Sequence, residues 1–104
     1  MSRLEKILAM LESEPGDTFL RYTLAMEYRK LGDSEKSVEL LRALAYEQVP
    51  PYVPSFLMAA QQLADSEQTE EARTFLRDGI EEARKQNDLH AASEMAELLA
   101  ELGK

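Results

Sequence analysis

A set of apolar residues in this chain recurs with a period of 34 to 35 positions, and that recurrence limits the fold more than any other feature. Leu4, Ile7, Met10 and Leu11 return 34 positions later as Val38, Leu41, Leu44 and Ala45. One extra residue near Val49 then shifts the register, so that Pro15 matches Pro50, Ala25 matches Ala60, Tyr28 matches Leu63 and Leu41 matches Leu76 at a spacing of 35. Inside each period the apolar residues fall at i, i+3, i+4 and i+7, the spacing that gathers them on one stripe of a helix, and strand-like alternation is missing. A unit of this length with two stripes is a pair of helices, used more than once.

The breaks between stripes divide the chain into six expected helices. Leu4, Ile7, Leu8 and Leu11 form the first stripe, ended by Pro15-Gly16-Asp17. Leu20, Leu24, Tyr28 and Leu31 form the second, followed by Gly32, able to take positive φ at a helix end, and Asp33, able to cap the next start. Val38, Leu41, Leu44 and Ala45 make the third, which Pro50, Pro51 and Pro54 are expected to stop. The fourth is Phe56, Ala59, Ala60 and Leu63; the break at 66–69 offers Thr69 as a cap, with Glu70 and Glu71 favouring the positive end of the helix dipole. Ala72, Phe75, Leu76, Gly79 and Ala83 give the fifth, and Asn87-Asp88 opens a sixth with Ala92, Met95, Ala96, Leu99 and Leu102 on one side. Short connections make neighbouring helices antiparallel.

At 104 residues the chain suits one domain. The lack of Cys excludes disulfides, thiolate metal sites and Cys nucleophiles, and makes the reducing cytoplasm the simplest expected location. No apolar run reaches the roughly 20 residues of a membrane span, and the charged start Met1-Ser2-Arg3-Leu4-Glu5-Lys6 is unlike a signal peptide, so no membrane association is expected. A net charge of -8 argues against nucleic acid, whose binding requires Lys and Arg to displace counterions. Residues 65–104 hold eleven Asp or Glu against five Lys or Arg, so a charge-steered partner should be basic.

Small residues stand at matched places in the repeat: Ala25 with Ser37 and Ala60 with Ala72, each twelve residues apart. Such pairs let the two helices of a hairpin approach closely, with Tyr28, Leu63, Leu41 and Leu76 filling the space beside them. On these residues the sequence resembles the tetratricopeptide repeat family: Leu24-Ala25-x-x-Tyr28 with Gly32, Ser37 and Leu41, then Phe56-x-x-Ala59-Ala60-x-x-Leu63 with Ala72, Leu76 and Gly79. The resemblance implies an all-α fold, a right-handed stack of antiparallel helix hairpins with about six helices. It divides the chain into a leading helix at 1–14, repeats at 18–51 and 52–86, and a capping helix at 88–102. Leu44 at a usually small position, Arg21 at a usually aromatic one and the lack of a proline closing the second repeat depart from the pattern.

The same resemblance implies a concave groove on the helices at 18–31, 54–65 and 89–102, and hence an adaptor for a peptide or helix of another protein. Phe19, Tyr22, Met26, Arg29 and Lys30 lie off the Leu24–Tyr28 stripe, on the face that would line the groove, with Leu57, Gln61 and Asp65 beside them. Phe19 and Tyr22 could equally pack on the first helix. Members that grip acidic tails use Lys and Asn where this chain has Tyr22 and Met26, so an apolar or mixed peptide is the expected ligand. A structural alternative is homo-oligomerisation through the terminal helices, because the first looks like half of a hairpin.

Nothing in the sequence marks an enzyme or a cofactor site. His90 is the only histidine, and with Glu94 it falls short of the three or four ligands of a zinc site. Glu70-Glu71 and Glu81-Glu82 read as a solvated helix face rather than as an acid and base pair. The four glycines form no phosphate loop. Met10, Met26, Met58 and Met95 suit an adaptable binding surface, core filling being an equal reading for Met10, Met58 and Met95, while Met26 lies off the apolar stripe.

Overall fold

A computed structural model describes residues 1–103, and these form six α-helices with no strand among the described residues. They are α1 (Arg3–Ser13), α2 (Thr18–Lys30), α3 (Ser34–Tyr46), α4 (Pro54–Asp65), α5 (Thr69–Lys85) and α6 (Leu89–Glu101). Each packs mainly on its neighbours in the chain, giving a body of 42 × 29 × 19 Å.

Capping chemistry explains where these helices start. Asp17, Asp33 and Asp88 accept from the amides of Leu20, Lys36 and Ala91 at 2.8, 3.2 and 3.1 Å, and Asp33 is the cap expected from the sequence. Ser2 and Glu5 form a capping box at α1. Pro54 opens α4 at a position whose amide needs no partner, while α3 already ends at Tyr46, ahead of the prolines expected to stop it.

Three turns share one design. In Leu31-Gly32-Asp33, Ser66-Glu67-Gln68 and Gln86-Asn87-Asp88 the middle residue has positive φ, 86°, 62° and 62° in turn. The third residue's amide reaches back to the carbonyl of Tyr28, Leu63 or Ala83, closing the orphan carbonyls of the preceding helix. That same third residue is the N-cap of the next helix. The compact turn corrects the expected cap at α5: Gln68 takes that place without a side-chain bond, and Thr69 is already inside the helix.

The core is built on close approach. Ala25, Ser37, Ala60 and Ala72 are all 0 % exposed. The Ser37 hydroxyl donates to the Ala25 carbonyl at 2.7 Å and accepts from Gln62 Nε2 at 2.8 Å, so one small polar side chain ties α2, α3 and α4 together. Around this seam lie Leu41, Leu63, Leu76 and an aromatic cluster in which the Tyr46 ring meets Phe56 and Phe75 edge-on, at 5.5 and 5.4 Å. Gly79 lets α4 and α6 converge on α5, since an added Cβ would lie 2.5 Å from Met95 Sδ and 2.6 Å from Phe56 Cβ.

Four expected core residues are corrected. Met10 is 49 % exposed, Leu8 and Ala96 lie on the surface, and Leu31 has left the stripe to form the exposed C-cap of α2. Among the described residues α1 packs substantially only on α2, so Ile7 is its one buried side chain.

Replacing Ser37 by Ala strands a buried amide and should lower stability by about 1–3 kcal/mol in urea denaturation. Adding Gln62→Met to that variant should recover part of the loss, because the unpaired donor disappears with it. Gly79→Ala gains helix propensity but meets Phe56 and Met95, for an expected net loss of about 1–2 kcal/mol. Gly16→Ala, with nothing within 4 Å, should leave the midpoint nearly unchanged.

Candidate functional site

On α2 the stripe Leu24–Ala25 turns inward, which leaves Tyr22 and Met26 partly buried at its edge. Tyr22 stacks edge-on against Tyr52 of the α3–α4 connection, centroids 5.2 Å apart. Arg29 Nη1 lies 3.5 Å from Met58 Sδ, which links α2 to α4.

The seven residues expected to bind a partner do not share one groove. Tyr22, Met26 and Lys30 line a depression against Arg3 and Glu27, where α1 meets α2. Leu57 lines a different cleft, between α4 and α6. Arg29 stands against Met58, Gln61 is half-buried and borders neither depression, and Phe19 is 71 % exposed.

The α4–α6 cleft holds about 300 Å³. Val53, Leu57, Met58 and Met95 give it an apolar lining, and Asp88, His90 and Glu94 stand among them as its polar groups. One oxygen of Asp88 caps α6, and Glu94 faces His90 Nε2 at 3.6 Å. No Lys or Arg lines this cleft, so an occupant meets carboxylates beside a greasy floor. Sequence spacing missed Tyr52, which sits in an irregular connection.

No family model matches the chain, and neither a curated protein nor a solved structure is similar to it. The reading of the site therefore stands on its geometry. No group of three or more His, Cys, Asp or Glu side chains among the described residues is placed to hold a metal ion. No described helix is long and apolar enough to cross a membrane.

Two tyrosines carry the electrostatic signature of the surface. Burial raises the Tyr22 pKa, the neighbouring Tyr52 adds to the shift, and Arg29 opposes it. Burial likewise raises Tyr46, whose hydroxyl also donates to Asp78 Oδ2 at 2.5 Å, holding the phenol neutral beside a carboxylate. Both groups keep their proton more tightly folded than unfolded, so their contribution is complete below the ordinary tyrosine value of 10.0 and is lost as pH rises beyond it. Denaturation midpoints should therefore fall above about pH 10, and Tyr46→Phe should flatten that fall while leaving stability at neutral pH little changed.

Proposed function

We propose that the chain is a small protein-interaction module of the tetratricopeptide type, a right-handed stack of antiparallel hairpins that offers one face to a peptide or helix of another protein. The matched small residues at Ala25, Ser37, Ala60 and Ala72, all fully buried, support the repeat reading, as does the shared design of the turns. The single observation that carries the function is the α4–α6 cleft, an apolar slot with carboxylates beside it and no cation in its lining. Its best occupant is an apolar side chain with Lys or Arg nearby in sequence, since charge complementarity steers and orients such a segment. We read the chain as a binding protein without catalytic chemistry or cofactor, working in the cytoplasm.

A second reading, self-association through α1, is favoured by one observation: Leu8 and Met10 remain exposed on a helix that packs substantially only on α2. Sedimentation equilibrium separates the two, because a monomer mass at every concentration removes self-association.

Selection of random dodecapeptides on the immobilised protein tests the main reading. Enriched peptides should share an apolar residue beside a basic one. Leu57→Asp should weaken them tenfold or more, in line with the roughly 1.5–3 kcal/mol carried by a buried aliphatic side chain. Glu94→Lys, on an exposed helix position, should turn the preference from basic to acidic flanks. A selection without consensus, or peptides indifferent to both substitutions, overturns the proposal.

A further inference from the structure

We propose that His90 makes occupancy of the α4–α6 cleft depend on pH, so that a basic-flanked segment is held at neutral and mildly alkaline pH and released on acidification. The inference rests on the reading of that cleft as a seat for an apolar side chain with Lys or Arg beside it. Its polar lining consists of Asp88, His90 and Glu94, all from α6 and the turn before it. From α4 the lining receives Pro54, Leu57 and Met58, and from α5 it receives nothing. The charged end of α5, Arg84 and Lys85, lines a separate depression. His90 is therefore the one side chain in the lining able to become a cation. Histidine is also the side chain whose charge ordinarily changes between about pH 5 and 8.

The geometry sets up a competition for one carboxylate. His90 Nε2 lies 3.6 Å from Glu94 Oε1, one helical turn further on, which is too long for a hydrogen bond. A neutral imidazole consequently leaves Glu94 to an incoming ammonium or guanidinium, and Glu94 enters no other ion pair among the described residues. A protonated ring at the same place attracts Glu94 for itself and repels the cation of the ligand. Asp88 is a poor substitute, because one of its oxygens already accepts from the Ala91 amide at 3.1 Å to cap α6.

The sign follows from mutual exclusion. A proton on His90 disfavours the basic segment, so the basic segment must disfavour the proton by the same factor. Both His90 and Glu94 are exposed, and solvent screens the effect: one unit charge about 4 Å away should change affinity about three- to tenfold. Segments with acidic flanks should respond in the opposite direction, and segments with uncharged flanks should not respond.

Titration of the isotope-labelled full chain with a blocked peptide, acetyl-Ala-Lys-Leu-Lys-Ala-amide, tests the switch at about pH 8 and about pH 5.5, where carboxylates ordinarily keep their charge. The amide resonances of Leu57 and Ala91 report binding. The C–H resonances of the imidazole report its protonation without ambiguity, since His90 is the only histidine. The peptide should bind at the higher pH with Kd on the order of millimolar, and three- to tenfold more weakly at the lower. Near pH 6.5, saturating peptide should move the ring resonances towards the neutral form. H90Q, at an exposed position, should bind like the parent at the higher pH and keep that affinity at the lower. A peptide with glutamine for both lysines should show no pH dependence. Equal binding at both pH values, a loss that persists in H90Q, or ring resonances unmoved by saturating peptide each overturn the switch and leave the cleft reading standing. The lack of any saturable shift at the higher pH overturns the cleft reading, and the switch with it.

Discussion

The contact on which this molecule rests is the approach of α2 to α3 across Ala25 and Ser37, repeated between α4 and α5 across Ala60 and Ala72. Side chains of this size allow two helix backbones to come near enough for the larger residues on either side to interlock. In the first of these seams the approach is also recorded by a hydrogen bond, Ser37 to the Ala25 carbonyl at 2.7 Å, which a larger or more distant residue would not make. The second has alanine at both places and relies on shape alone. The polar version gains direction at the expense of an obligation, since every group it brings inside must find a partner.

Helix order is then enforced by the turns. A residue with positive φ closes the carbonyls of one helix, and the next residue starts the following helix, so only three residues separate α2 from α3, α4 from α5 and α5 from α6. Glu67 and Asn87 hold this conformation without being glycine. Asn tolerates it through local hydrogen bonding, whereas Glu67 holds it against the crowding of its own Cβ. The α3–α4 connection, by contrast, is long enough to carry Tyr52 onto the α2 face, where it supports Tyr22.

Much of this architecture was legible in the sequence. Six helices, the cap at Asp33, and the fully buried small pairs all follow from spacing and residue type. What spacing could not tell was how many neighbours a stripe would find: Leu4, Ile7 and Leu11 read like Val38, Leu41 and Ala45, yet only Ile7 is buried, because α1 has one main neighbour and α3 has two. The expected binding face suffered the same way. Tyr22 and Met26 were gathered by their place off the α2 stripe and Leu57 by the family resemblance, whereas depressions form between helices, and which helix stands opposite is a tertiary fact. The unpartnered oxygen of Gln62 left no trace in the sequence at all, since Gln61-Gln62 reads as an ordinary polar pair.

Gly79 also links two regions that otherwise have little in common. Met95, on the lining of the α4–α6 cleft, and Phe56, in the aromatic cluster, come together over this residue, and Phe56 in turn leans on the Tyr46 ring. With no tryptophan in the chain, the tyrosines are its intrinsic fluorophores. Displacement of the Met95 thioether would thus be passed through one phenylalanine to a chromophore on the far side of α5, giving the protein an optical reporter of its own cleft without any added label.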